Sequence, residues 1–296
     1  MPVAKHRRPK GLFVGLATVD LIYTVENIPG RDKKISVPGQ QLSAGGPATN
    51  AAVTFAFLGG RAQLVTALGA HPVATVIRED LSRHAVRVHD LARRSRETPP
   101  LSSIMVLRGT GQRTVVSANA AVFAQRIGSF QPQWLRGISV VLVDGHYMPL
   151  CIAASRAARE SGLRVVLDSG SWKDGMHDLL PIVDTAICSD DFRPPQCRDI
   201  DDVFEFLRAQ NISQIAITRG AAAVRFLDRG TSGSLPIENI RPVDTLAAGD
   251  VFHGAFCYYA CQPGASFREA LAAAAHVAGF SCRFSGTRSW MQAFRE

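Results

Sequence analysis

The chain has 296 residues, 46% hydrophobic and 20% charged, with 33 basic against 25 acidic side chains and a formal net charge of +8. A chain of that length and composition buries a full core unaided, which excludes a disordered, collagen-like or cysteine-stapled protein. No apolar run approaches the roughly 18 residues of a membrane span and no leader pattern follows the basic start, so no membrane partner and a cytoplasmic location are expected.

Taken in chain order, the first feature is the basic cluster Lys5-His6-Arg7-Arg8, matched later by Arg93-Arg94-Ser95-Arg96. Neither is interleaved with stacking aromatics, which argues against a nucleic-acid partner and for solvated surface charge. Residues 11–16 form a short apolar run that reads as a buried strand, and residues 18–44 alternate polar and apolar without helical period. A helical pattern covers 47–58. Residues 101–118 read as two strands around the turn Arg108-Gly109-Thr110-Gly111-Gln112. Strand-like runs at 140–144, 165–168, 186–188 and 215–218 then alternate with helical patterns at 149–161 and 201–210. Two alanine-rich helices follow at 249–261 and 266–280. Short Val/Ile/Leu runs separated by helices are how parallel strands with crossover helices read, so the expected class is an α/β/α sandwich. Each run ends in a small or polar residue, which makes Asp144, Asp168, Ser189 and Thr218 candidates to line one cleft at the strands' carboxyl ends. There is no internal repeat, so one domain over 1–296 is expected, with a β-lid formed by 18–44 and 101–118. The six cysteines contain no C-x-x-C pair, and a reduced state is expected.

The chemistry concentrates in Asp244-Thr245-Leu246-Ala247-Ala248-Gly249-Asp250, where small residues precede an acid and a helical run begins. A helix starting at about residue 247 points free amides out of its end, with the dipole adding about half a positive charge there. Gly249 leaves room for a phosphate to approach those amides. A carboxylate beside an anion site needs a task, and Asp250 suits a general base that takes the proton of a hydroxyl attacking a terminal phosphoryl group. A second glycine-led helix start, Gly45-Gly46-Pro47-Ala48-Thr49-Asn50, lets backbone touch a polar ligand and offers the Asn50 amide to a pair of hydroxyls.

Together these segments resemble the ribokinase-like (PfkB-type) carbohydrate kinase family: Asp244 to Asp250 match its D-T-x-[GA]-A-G-D motif, and Gly45 to Asn50 its G-G-x-x-x-N motif. With Gly15 to Asp20 and Ile217 to Gly220 the resemblance spans nearly the whole chain. It implies a ribokinase-like α/β/α sandwich with a mostly parallel sheet and a small β-lid, and transfer of the ATP γ-phosphate to a sugar, with Mg²⁺ accompanying the nucleotide. Carried over, Asp250 is the base and Ala247, Ala248 and Gly249 form the anion hole. Asp20, Gly45, Gly46, Asn50 and Arg113 bind the sugar, and Thr218 and Gly220 lie along the nucleotide. Asp244 matches a K⁺ ligand of some members. A homodimer through the lid is implied as well.

The chain also departs from the family pattern. Ala247 stands where many members have glycine; its amide donates equally well provided φ stays negative. Ser189-Asp190-Asp191-Phe192 replaces an N-x-x-E motif, leaving Asp190 to act on Mg²⁺ through water. Ala221-Ala222-Ala223 replaces a glycine of the nucleotide loop. Pro47 stands where ribokinases usually carry lysine, so the motif does not name the sugar; residues 250–254 and the Gly-Pro pair resemble the sulfofructose kinase and ketohexokinase branch, which implies a ketose or sugar derivative. His146 and Tyr147 follow the run that ends at Asp144, and a packed histidine is expected there. The alternatives are a nucleoside kinase and a non-catalytic sugar or nucleotide sensor.

Overall fold

The computed structural model describes residues 8–123 and 127–295; the expectation attached to Lys5, His6 and Arg7 lies outside them. From the N-terminal side, β1 (Lys10–Val14), β2 (Thr18–Val25) and β3 (Gln40–Gly45) lead into α1 (Pro47–Phe57). Then come β4 (Arg61–Thr66), α2 (Ala74–Arg83) and β5 (Arg87–Asp90), and a hairpin of β6 (Leu101–Leu107) and β7 (Arg113–Ser117). The next stretch alternates β8 (Val140–Val143), α3 (Met148–Glu160), β9 (Arg164–Ser169), α4 (Met176–Leu179), β10 (Thr185–Ser189), α5 (Ile200–Ala209) and β11 (Gln214–Arg219). A second hairpin, β12 (Ala222–Asp228) and β13 (Thr231–Leu235), precedes α6 (Ala248–Tyr259), α7 (Phe267–Ser281) and α8 (Trp290–Ala293).

Nine strands form one sheet in the order β13-β12-β11-β10-β9-β8-β1-β4-β5. From β11 to β5 every pair is parallel; the β12–β13 hairpin adds an antiparallel edge. The strands are apolar on both faces because both are covered. In β1, Phe13 points into a layer with α1, α6 and α7, whereas Leu12 and Val14 point into the layer with α3 and α5. Helix starts are fixed locally. The Asp199 carboxylate accepts the amides of Asp201 and Asp202 to begin α5, and Ser266 with Glu269 forms a capping box on α7.

A second sheet, in the order β3-β2-β6-β7, packs over the carboxyl ends of the central strands. Its register explains its two faces, since alternate residues of a strand face opposite sides. Asp20 pairs with Ser102, and Ser102 with Ser117, making a polar row; Ile22, Ile104 and Val115 make the next row on the same face. The opposite face carries Leu42, Leu21 and Val116, of which Leu42 and Val116 are exposed.

Several elements lie outside the expected pattern: β4, β5, α2, β12 and β13. None is a continuous apolar run. β5 is a four-residue, half-buried edge, β12 alternates because it is antiparallel, and α2 buries only one stripe.

Candidate active site

The carboxyl ends of β8, β9, β10 and β11, the start of α1, the start of α6 and the polar face of the small sheet enclose a cleft of about 380 Å³. Asp20, Gly46, Asn50, Arg113, Thr218, Ala247, Gly249 and Asp250 line it, joined by Asp168, Lys173 and Asp191. The two glycine-led helix starts, 200 residues apart in sequence, meet there: Asn50 Nδ2 donates to Asp250 Oδ2 at 2.8 Å.

Local geometry explains the glycines before α1. A Cβ on Gly45 would sit 1.9 Å from Asp20 Oδ2, so only glycine lets β3 pass the carboxylate. Gly46 has φ +97°, and a Cβ there would meet the Leu16 carbonyl oxygen at 2.3 Å. Pro47 follows at the first helical position. Thr18 Oγ1 donates to Asp20 Oδ1 at 2.6 Å. Burial raises the Asp20 pKa, opposed by hydrogen bonds from Thr18 and Ser102 and by the charge of Arg288.

At the other helix start, Ala247 is the N-cap of α6 with φ +60°. This corrects the expectation of a negative φ and explains a preference for glycine there: an L-residue in the left-handed region costs roughly 1–2 kcal/mol. The backbone reversal aims the amides of Ala247, Gly249 and Asp250 outward, and among the described residues none meets a protein acceptor. Ala248 differs from expectation, because its amide donates to the Thr245 carbonyl at 3.3 Å. The free donors are therefore Ala247, Gly249 and Asp250.

The Asp250 carboxyl is half-buried, and its pKa is pushed up to about 7, first by burial and then by the negative charge of Asp168. The Asn50 hydrogen bond, His253 and Arg113 oppose that rise. Asp168 is buried with its own pKa raised by desolvation, and its Oδ2 has no hydrogen-bond partner among the described residues. His253 Nδ1 lies 3.4 Å from that oxygen and 2.7 Å from the Gly249 carbonyl, while Nε2 lies 3.0 Å from the Ile187 carbonyl. This ring holds the first turn of α6 against β9 and β10.

Other expected residues take more specific places. Asp144 accepts the amides of Leu16, Ala48 and His146, so it ties β1 and α1 together at the cleft edge. His146 lines the cleft, with a pKa lowered by burial, whereas Tyr147 turns into the core. Arg113 Nη1 donates to the Thr245 hydroxyl at 3.1 Å and its carbonyl at 3.3 Å, latching the small sheet to the anion loop. Thr218 donates its hydroxyl to the Cys188 carbonyl at 3.3 Å. Gly220 sits in the β11–β12 turn with φ +58°, outside the cleft lining. Asn50 has both polar atoms engaged, since Oδ1 accepts from Arg288 Nη1 at 2.9 Å.

Magnesium takes hard oxygen ligands, commonly one or two carboxylates completed by phosphates and water. The orphaned Asp168 Oδ2 and the cleft-lining Asp191 fit that requirement. Asp190, the residue expected from the sequence, does not: its carboxylate pairs with Arg193 Nη2 at 3.5 Å, outside the lining. Asp244 is buried, and its two oxygens accept the amides of Leu246 and Gly286, each at 2.8 Å. It anchors the loop, and its remaining lone pairs are those a potassium ion would share.

Lys173 and Arg288 have no motif around them in the sequence, and Asp191 lies in the segment Ser189 to Phe192 without being singled out by it. Lys173 stands five residues beyond the strand-end Asp168; its ammonium donates to the Ser171 carbonyl at 3.3 Å and meets no carboxylate within 4 Å among the described residues.

Residues 9–293 match the family model described as pfkB family carbohydrate kinase. A ribokinase of Arabidopsis thaliana is 26% identical, with 94% of this chain and 77% of the relative covered. A deoxyribokinase of Salmonella typhi is 21% identical over 93% of each. Among solved structures, Arabidopsis thaliana ribokinase complexed with ribose and ATP has a TM-score of 0.76 at 21% identity, covering 98% of this chain and 100% of that one.

Proposed function

The chain belongs to the pfkB family of carbohydrate kinases, and from that premise we propose that it transfers the γ-phosphate of ATP to a hydroxyl of a small free sugar, with Asp250 as the base. The supporting observation is the meeting, in one cleft, of the Asp250 carboxyl with three main-chain amides that have no acceptor among the described residues.

Asn50 holds Asp250 Oδ2, leaving Oδ1 to face the acceptor hydroxyl. As the hydroxyl oxygen bonds to the γ-phosphorus, its proton passes to Asp250, and the bond from that phosphorus to the β–γ bridging oxygen breaks, releasing ADP. The amides of Ala247, Gly249 and Asp250, at the positive end of α6, stabilise the charge on the group in transit. Lys173 and Arg113 add positive charge from the loop after β9 and from the small sheet. Magnesium, when bound with the nucleotide, offsets phosphate charge; Asp168 and Asp191 would hold it. Asp20 and the Ser102–Ser117 row receive sugar hydroxyls, and Ser189 and Thr218 lie along the nucleotide. The small sheet acts as a lid that excludes water.

The cleft lining consists of carboxylates, hydroxyls, amides and small aliphatics together with the cations Arg113 and Lys173 and the imidazoles of His146 and His253, and contains no Phe, Tyr or Trp among the described residues. Such a surface is rich in groups that pair with a sugar's hydroxyls and, among the described residues, offers a nucleoside base no Phe, Tyr or Trp to stack on. The resemblance of residues 250–254 implies a ketose or sugar derivative, whereas the relatives are named ribokinase and deoxyribokinase. ADP release measured over aldopentoses, deoxypentoses, ketohexoses and nucleosides, with and without K⁺, separates these acceptors. Turnover with a monosaccharide and none with nucleosides is expected. Turnover with nucleosides alone, or sugar binding without ADP release, overturns the proposal; stimulation by K⁺ that is lost in Asp244→Asn would place the cation at Asp244.

A further inference from the structure

Arg288, on the segment between α7 and α8, makes a fork of hydrogen bonds into the site although no motif surrounds it. Its Nη2 donates to the Ala44 carbonyl at 2.9 Å and to Asp80 Oδ2 at 3.1 Å, and its Nε donates to the same Asp80 oxygen at 3.3 Å. Its Nη1 donates to Asn50 Oδ1 at 2.9 Å and to the Thr287 carbonyl at 3.2 Å. Asp80, on α2, also accepts the Ala44 amide at 3.2 Å and faces His84 at 3.3 Å, so the guanidinium is both neutralised and fixed. The Arg288 and Asp80 side chains are only 15% and 12% exposed, which removes the solvent screening that makes surface pairs weak.

From this geometry we infer that Arg288 is a positioning residue for the catalytic base, acting through Asn50 on Asp250. The reasoning rests on donor and acceptor identity. A guanidinium can only donate, so the Asn50 atom facing it must be the oxygen. That orientation leaves Nδ2 to donate to Asp250 Oδ2, at 2.8 Å. Without Arg288, Asp250 alone holds the amide in this orientation among the described residues; once that carboxyl is protonated the amide can turn its oxygen toward it, which withdraws the only side-chain hydrogen bond to Asp250 among the described residues and favours the neutral carboxyl. The assignment of Asp250 as base rests on the proposed function; the relay from Arg288 to its carboxyl does not.

The groups facing Asp250 are Asp168 from β9, His253 from α6, Arg113 from β7 and Asn50 from α1. Of these, the Asn50 donor favours the ionised carboxyl, so losing it moves the Asp250 midpoint upward. The experiment is carbon-13 NMR titration of aspartate-labelled full-length protein, with the Asp250 signal assigned by its loss in Asp250→Asn. Arg288→Lys and Arg288→Gln should raise the midpoint by about one pH unit, the size of one hydrogen bond to a charged group. Asn50→Ser leaves the Arg288–Asp80 pair intact and should raise it equally, which covers the case in which the Arg288 variants fold poorly. The Arg288→Lys, Asn50→Ser double variant should move it no further than Asn50→Ser alone. A midpoint unmoved in Asn50→Ser, or moved by Arg288→Lys equally with and without Asn50, overturns the relay. In turnover the acid limb of kcat should follow the NMR midpoint, with KM for ATP changed less than about threefold. Failure of the kinase proposal shows separately, as no ADP release from any variant whatever the midpoint.

Discussion

A carboxyl with a midpoint near 7 is half protonated at neutral pH, and only its ionised form accepts a proton from an alcohol. Because burial and Asp168 raise Asp250 to about 7, kcat should climb with pH through that value and level off above it, opposite to a site needing a protonated acid; a pH–rate profile at saturating substrates checks this. The same shift bears on stability. A carboxyl raised in the folded state binds more protons there than when unfolded, so its contribution to stability falls as pH rises from the ordinary carboxylate value of 3.8 to about 7. Asp250→Asn should therefore raise the melting temperature, more at pH 8 than at pH 5, as measured by calorimetry. Ala247→Gly relieves the left-handed alanine, so it should leave the protein as stable as wild type or more stable by about 1 kcal/mol, whereas glycine inside a helix usually destabilises. At this scale the sequence conveyed what local spacing can carry: small residues before an acid imply open amides beside a carboxyl. It could not convey Arg288, whose meaning depends on an Asn50 contact across 238 positions. Nor could it show that Asp191 and not Asp190 faces the cleft, since either neighbour of a strand end can turn inward.

The small sheet and the anion loop are joined at one place. Thr245 donates its hydroxyl to the Gly111 carbonyl at 3.0 Å and receives Arg113, while Leu246 packs beneath Ile22, Ile104 and Val106. In the proposed reaction, closing the small sheet over a sugar would therefore also steady the loop proposed to grip the phosphate. Thr245→Val removes the hydroxyl from that latch, and at about 1 kcal/mol per net hydrogen bond the sugar KM should rise roughly fivefold, with a smaller change in KM for ATP; steady-state kinetics with each substrate varied tests this. Elements with one strong signal were legible in advance, among them the buried parallel strands β1, β8, β9, β10 and β11 and the alanine-rich α6 and α7. Those that share burial with solvent, such as β5 and α2, were not, because a half-buried edge or a single apolar stripe leaves too few apolar residues to stand out.

Across the whole molecule, the parallel sheet gathers residues from opposite ends of the chain at one set of carboxyl ends, and the small sheet covers them. That sheet's outer face leaves Leu42 and Val116 56% and 67% exposed. Pairing between two such faces, the dimer implied by family resemblance, predicts a concentration-dependent monomer–dimer equilibrium in sedimentation velocity that Val116→Glu shifts to monomer; a single monomeric species at every concentration would contradict it. Among the described residues no helix is long and apolar enough to cross a membrane. Everything proposed for catalysis converges on one carboxyl group beside open amides. Turnover of Asp250→Asn, measured as ADP release at saturating sugar and ATP at pH 8, is the most direct test. Proton transfer to Asp250 requires a loss of about 10²–10⁴-fold in kcat with KM for ATP little changed; turnover within about tenfold of wild type would contradict it.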